Sequence, residues 1–461
     1  MYIASALIQN VKCFQNVAWK PPRDRLAGWH VIIGDNGSGK STFARCVALA
    51  LVGPREAPAL WEDWDDWLRR DQPTGSVRVD IDHHPSIDAF GPGAPVKNKL
   101  VPAILNFVRQ PSGAEPSVEV KPERTKAANA ERHVWGSGSG WFSASYGPFR
   151  RFEGGDKDYE RLFYSNPRLA RHLSVFSEGV ALTENLRWLE QLHHERLEEQ
   201  GELAVAGEPA RPAQPVSNGR SDTWANRPPA GKSDLLLRRI TTFVNQEGFL
   251  PLGAQLANVS SKGVELRDGN GCRVWIEDMS DGYRSILSMT LELIRQLATT
   301  YDPQGLFSED NTVVTAYGTV IIDEIDAHLH PTWQQRVGPW FCEHFPNLQF
   351  IVTTHSPLVC QAAEHGTVFR LPRPGSAEPA RFMLGAELDR LLYGNILDAY
   401  GTEAFGKVTR SDSSQRFTER LASLNVKELY EGLTGAEEEE QQRLRTMLPT
   451  AAGTAGLGGR R

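Results

Sequence analysis

The sequence is short of cysteine, of basic charge and of long apolar runs, and each shortage excludes a class of protein. Five cysteines (Cys13, Cys46, Cys272, Cys342 and Cys360) are scattered over 461 residues with no C-x-x-C pair. Neither a disulfide frame nor a zinc site is expected, and the thiols read as buried groups in a reducing cytoplasm. Lys and Arg number 50 against 57 Asp and Glu, a net charge of −7, which rules out a uniformly basic coat for nucleic acid but leaves room for a local basic groove. There is no 18-residue apolar run; FARCVALALVG is too short and carries Arg45, so no membrane span is expected. The start, MYIASALIQN, lacks the basic n-region of an export signal.

What is present is an ordinary globular composition, 40% hydrophobic and 23% charged, in a chain long enough for two or three domains. The strand-like IASALIQNV and WHVIIG open the chain, and a helix pattern follows with Phe43, Cys46, Val47, Ala50 and Leu51 on one face. The run LWEDWDDWLRR puts Leu60, Trp64, Trp67 and Leu68 on one helical face, a stripe read as core, and SVRVDID alternates as a half-buried strand. Residues 160 to 200 look helical. Residues 198 to 232 are rich in Pro, Ala and Gly and read as a loop or linker. A helix (DLLLRRITTFV), a hairpin around RDGNG and a second α/β segment follow, before a mostly helical end with a Gly-rich tail. The expected division is an N-terminal lobe at 1–160, a helical insertion and linker at 161–234, a C-terminal lobe at 235–372 and a helical region at 373–461.

Three segments carry chemistry. VIIGDNGSGKST sets Gly34 and Gly39 around a four-residue gap, followed by Lys40, Ser41 and Thr42, after a β-branched strand and before a helix. This is a phosphate-binding loop: Gly34, Asn36, Gly37, Ser38 and Gly39 let backbone N–H groups curl around phosphates, Lys40 reaches the β/γ oxygens, and Ser41 coordinates Mg2+. In YGTVIIDEIDAHLHP a buried strand, Thr319 to Ile322, ends in Asp323 and Glu324, which suit a magnesium ligand and a general base. LQFIVTTHSP is a third strand, running into His355, a candidate contact to the γ-phosphate. Two look-alikes fail. DHHP at Asp82 to Pro85 lacks the companion carboxylates of a metal phosphoesterase, and AGKS at Ala230 to Ser233 has no preceding strand and Asn226 where a glycine is needed.

MSDGYRS poses a separate question, because Ser280, Asp281 and Gly282 open an apolar helix with no evident use nearby. They suit either a plain Ser/Asp cap or an anion site at a helix N-terminus.

The phosphate loop, SDGYRS, IIDEIDAHLHP and TTHSP, in that order, resemble the ABC-class ATPases of the RecF and SMC kind. The resemblance implies an α/β head with a mixed sheet, a P-loop core and a helical lobe, with ATP and Mg2+ as cofactors. It also implies a head-to-tail homodimer in which Ser280 and Gly282 address the partner's ATP and Asp326 lies at the same interface. The lid glutamine of that family is not placed: Gln110 is one candidate, while WFSASYGPFRRF offers Tyr146 and Arg150 instead. Transporter ATPases hold loop and signature closer than the 240 residues between Lys40 and Ser280 (280 − 40), and no sustained heptads mark SMC arms. After His355 the aspartates are Asp389, Asp398 and Asp412, too far apart for a nuclease D-x-D cluster. With YGPFRR, SSKGVELRDGNG and GAELDRLLYGNILDAYGT, the chain is similar to the ATPases of Septu and Septu-like retron defence systems. That resemblance implies an ATPase beside a separately encoded nuclease, of HNH type. A RecF-like repair ATPase that binds DNA directly is the alternative, and a nucleotide-binding scaffold with little turnover the third; no membrane role is expected.

Overall fold

A computed structural model describes residues 1–60, 62–84, 86–89, 100–110, 118–122, 130–136, 140–152, 166–205, 231–376, 378–394 and 412–447. The chain divides into two compact units, Met1–Ile396 and Leu397–Arg461.

In the first unit, β1 (Tyr2–Val11) and β2 (Phe14–Trp19) are joined by a tight turn at Lys12 and Cys13, and β3 (Gly28–Ile33) leads to α1 (Lys40–Val52). The strands β4 (Thr74–Asp82), β5 (Leu100–Arg109) and β6 (Val118–Pro122) extend the hairpin into an antiparallel sheet of order β2-β1-β4-β5-β6. After β7 (Ser143–Tyr146) come α2 (Glu184–Val205) and α3 (Lys232–Val244). The strands β8 (Gln255–Ser260), β9 (Gly263–Arg267) and β10 (Arg273–Trp275) make a small antiparallel sheet. The β9–β10 turn is the expected hairpin, closed by the Asp268 N–H donating to the Cys272 carbonyl at 2.9 Å.

Next are α4 (Asp281–Thr300), β11 (Gly318–Ile322), α5 (Pro331–His344), β12 (Leu348–Thr353), β13 (Thr367–Arg370), β14 (Arg381–Phe382) and α6 (Gly385–Tyr393). The central sheet has the order β14-β13-β3-β12-β11-β7, all parallel except the edge strand β14. Its strands β11 and β12 are buried at every residue, as parallel strands covered on both faces must be. The fold is the mixed α/β class with a P-loop core.

The helix α1 packs against β4 and β5 on one side and the parallel strands on the other, so the expected one-sided face is in fact buried all round from Phe43 to Val52, apart from Arg45. The tryptophan stripe also differs from expectation. Among the described residues from 57 to 67 there are short 3-10 turns, Ala57–Leu60 and Trp64–Asp66, and no α-helix. Asp63 accepts a bond from the Asp65 N–H, the local side-chain competition by which aspartate draws backbone out of a helix. The stripe is nonetheless core: Trp67 is fully buried and stacks on Phe107 with ring centroids 5.9 Å apart. All five cysteines are free, but Cys13 and Cys272 are exposed and Cys342 is half-buried, so three depart from the expected burial.

In the second unit, α7 (Asp412–Tyr430) and α8 (Gly435–Met447) pack through Leu421, Leu424 and Leu444. Among the described residues no helix is long and apolar enough to cross a membrane. Most of the Pro/Ala/Gly-rich linker, the second half of GAELDRLLYGNILDAYGT and the Gly-rich tail lie outside the described residues.

Candidate active site

The parallel strands end along one edge of the central sheet, so the loops after β3, β11, β12 and β7 meet there. After β3, the loop Gly34 to Gly39 turns directly into α1. Gly39 takes φ 94°, and a Cβ on it would lie 2.5 Å from the Cys13 sulfur and 2.7 Å from the Phe14 ring, so backbone angle and space both demand glycine. Lys40 lies along this loop, its Nζ donating to the carbonyls of Gly34 (2.8 Å) and Asp35 (3.1 Å). Burial draws its ammonium below the ordinary lysine range, against the opposing pull of Glu324, Asp323, Asp326 and Asp35.

A cleft of about 350 Å³ is lined by Asn36, Gly37, Gly39, Lys40, Ser41 and Thr42 from the loop, by Glu324 and His355, and by Lys12 and Cys13. A second cavity of about 240 Å³ shares Ser41 and Glu324 with it and adds Asp323 and Arg45. Gly34 and Ser38 belong to the same loop but do not line the cleft, and the buried Ser38 hydroxyl has no hydrogen-bond partner. Lys12 and Cys13 were not anticipated. They arrive on the β1–β2 turn, where Lys12 takes φ 49°, is held by its N–H on the Trp67 carbonyl at 2.7 Å, and sets its ammonium 4.7 Å from the Trp67 ring. A basic residue between two strand-like runs was the one signal available for them.

The acidic turn after β11 is tightly held. Thr353, at the end of β12, donates its hydroxyl to Asp323 Oδ1 at 2.5 Å and accepts the Glu324 N–H at 2.8 Å. Glu324 itself takes φ 47°, the left-handed region that a glutamate rarely occupies. Thr354 donates to Asp326 at 2.6 Å, and the same carboxylate accepts the His355 N–H at 3.3 Å. Burial, then the nearby Lys40 charge, lowers the His355 pKa against the acids around it, so the imidazole is uncharged at neutral pH. Ser41 and Asp323 line one cavity. Two hard oxygen donors of this kind fit a magnesium ion that completes its shell with phosphate and water.

Ser280 occupies the N-cap position of α4 with extended backbone (φ −62°, ψ 154°), yet its side chain makes no capping bond to its own helix. Asp281 forms an ion pair with Arg284, and Gly282 lies against the turn after Glu324, where a Cβ would come 3.0 Å from the His328 carbonyl oxygen. Among the described residues lining the two cavities, Ser280, Asp281, Gly282 and Asp326 do not occur. Of the lid candidates, Gln110 follows β5 and lines neither cavity, whereas Tyr146 ends β7 beside Asp323, whose N–H bonds the Tyr146 carbonyl at 2.8 Å. Arg150 is buried in the same place. Burial lowers its guanidinium to about 10, with Asp323, Asp326 and Glu324 holding it up, so it remains a cation at neutral pH.

The DHHP look-alike is structural. Asp82, the last residue of β4, pairs with Tyr2 of β1 and Leu100 of β5, the His84 N–H bonds Asp88, and Pro85 lies outside the described residues. Among the described residues no group of three or more His, Cys, Asp or Glu side chains gathers as metal ligands.

A phosphate loop, an acidic strand end and a strand-end histidine on one sheet edge are the arrangement of a nucleotide site, and residues 30–361 match the family model described as "AAA domain, putative AbiEii toxin, Type IV TA system". The chain belongs to this AAA family. It is similar to the "Retron Ec83 probable ATPase" of Escherichia coli, 30% identical over 35% of this chain and 29% of that one. It is also similar to the "Septu protein PtuA" of Bacillus mycoides, 36% identical over 20% of this chain and 12% of that one. The matched part of this AAA-family chain thus spans less than a third of either relative's length. A crystal structure of an SMC head bound to the C-winged helix domain of ScpA shares 15% identity at a TM-score of 0.44, covering 84% of this chain and 99% of that one.

Proposed function

We propose that this AAA-family chain binds and hydrolyses ATP with Mg2+ as a head-to-tail homodimer, and that it is the regulatory ATPase of an anti-phage defence system, holding or releasing a separately encoded HNH-type nuclease. One observation carries the enzymatic half. Lys40, Ser41, Glu324 and His355 meet at one cleft, while the Ser280 hydroxyl at the start of α4 is not spent on its own helix.

In this reading the N–H groups of residues 36 to 42 and the Lys40 ammonium hold the β/γ-phosphates. Ser41 and Asp323 hold the magnesium ion, which when bound neutralises charge on the phosphate oxygens. Glu324 accepts a proton from the attacking water, and the uncharged His355 ring donates a hydrogen bond toward the γ-phosphate. Ser280 and Gly282, with the positive end of α4 behind them, close over the ATP of the partner, and Asp326 lines the same interface. The mixed retron and Septu names of the relatives support the defence setting.

Expression with the neighbouring genes tests the role. The expected result is a complex with a nuclease and loss of phage protection in Lys40→Ala; absence of both removes the defence reading while leaving the ATPase to be judged by phosphate release.

A further inference from the structure

Arg150 is the residue whose bonds the proposed chemistry does not use. Its guanidinium is buried, and all five donors are engaged without a single carboxylate acceptor. Nε donates to the Ser285 hydroxyl (3.0 Å), Nη1 to the carbonyls of Gly147 (3.1 Å) and Asp323 (3.0 Å), and Nη2 to those of Glu324 (3.1 Å) and Ile325 (3.3 Å). The Arg150 carbonyl in turn accepts the Ser288 hydroxyl at 3.2 Å, one helical turn beyond Ser285 on α4. One side chain therefore grips three consecutive carbonyls of the acidic turn and the first turns of the helix that Ser280 opens.

The grip falls where the backbone needs it. Glu324 sits at φ 47°, a conformation that persists only when its surroundings over-determine it. Its N–H is held by Thr353, and its carbonyl by Arg150. A planar fork with five donors can bond several carbonyls at once, and a lysine ammonium with three cannot replace it.

We propose that Arg150 is a positioning residue with two linked effects: it holds Glu324 in the left-handed conformation that aims its carboxylate into the cleft, and it makes the acidic turn and the α4 N-terminus one body, so that the glutamate of one active site is coupled to the serine offered to the other. This rests on the ATPase reading, with Glu324 as the base, and its second effect on the head-to-tail dimer.

The test is a double-mutant cycle in single-turnover ATP hydrolysis, using the full chain, with Arg150→Lys and Ser285→Ala each made in the wild-type and the Glu324→Gln background. If Arg150 acts through Glu324, Arg150→Lys slows the wild-type reaction about 10-fold or more, leaves the affinity for a fluorescent ATP analogue within about 2-fold, and has almost no further effect once Glu324 is Gln. Ser285→Ala, which removes one acceptor and little packing, slows the wild-type reaction about 3-fold with the same non-additivity, and stands in should Arg150→Lys fail to fold. An equal effect of these variants in both backgrounds, or none in either, overturns the proposal. Wild-type protein that hydrolyses no ATP would instead refute the ATPase reading on which it rests.

Discussion

Replacing Thr353 by Val keeps the β-branched shape of a fully buried side chain and removes its hydroxyl, which serves both acids at once. The Glu324 N–H loses its acceptor, at a cost of about 1–3 kcal/mol, and the Asp323 carboxylate loses a charge-assisted bond worth about 1.5–3 kcal/mol. Both acids continue to be held from their carbonyl side by Arg150, so the turn loosens without collapsing. If about 1.4–2.8 kcal/mol of the loss falls on the position of the Glu324 carboxylate, kcat drops about 10- to 100-fold. Steady-state phosphate release at saturating ATP measures this, with a thermal melt alongside to register the share that goes to stability. Thr353→Ser, which restores the hydroxyl, should recover most of the rate. Hydrolysis by Thr353→Val within about 2-fold of wild type would refute the idea that this hydroxyl holds the acidic turn for catalysis.

Other outcomes follow from the same geometry. Glu324→Gln should slow hydrolysis by about 10² or more and trap an ATP-bound dimer visible by light scattering; normal turnover would remove Glu324 as the base. Ser280→Ala should abolish ATP-driven dimerisation yet leave unfolding free energy within about 0.3 kcal/mol of wild type, because no capping bond is lost, whereas an ordinary cap serine would cost about 1 kcal/mol in a urea titration. Acid should destabilise the fold through His30, which is buried between the Thr367 hydroxyl and the Leu26 carbonyl, and whose pKa burial lowers from 6.5 to about 4. The unfolded chain takes up that proton first, so stability falls from about pH 6.5 down to about pH 4, by up to about 3 kcal/mol, and the loss levels off below. In urea titrations His30→Asn should reduce this slope, leaving the share of the equally buried His172, whose pKa burial lowers to about 3, and an unchanged slope would exclude His30 as a source.

What could be read from the sequence was what is local. Glycine spacing between a β-branched strand and a helix marks residues 34 to 42, because the loop needs its special backbone within nine residues. Apolar strands ending in Asp323 and His355 are equally local, and parallel pairing then brings them to one edge. The antiparallel sheet was not legible as a sheet, since β1 pairs with β4 some 70 residues away and nothing in either strand specifies the other. The helix expected for the tryptophan stripe does not form because helical periodicity in 60 to 68 competes with Asp63, whose carboxylate takes a backbone N–H two residues on, and the local bond wins. Lys12 and Cys13 reach the cleft through the hairpin turn, a consequence of tertiary placement. The role of Arg150 was beyond pattern reading for the same reason, as its acceptors at Ser285 and in the acidic turn lie more than 130 residues from it along the chain.

The central claim, that each site is built from two chains, is tested most directly by mixing two inactive proteins, Lys40→Ala and Ser280→Ala, and measuring ATP hydrolysis. In a head-to-tail dimer the mixed pair contains one site with both halves intact, so random exchange at equal amounts should restore about a quarter of wild-type activity. A mixture as inactive as its components, with exchange of subunits demonstrated, would contradict the shared site.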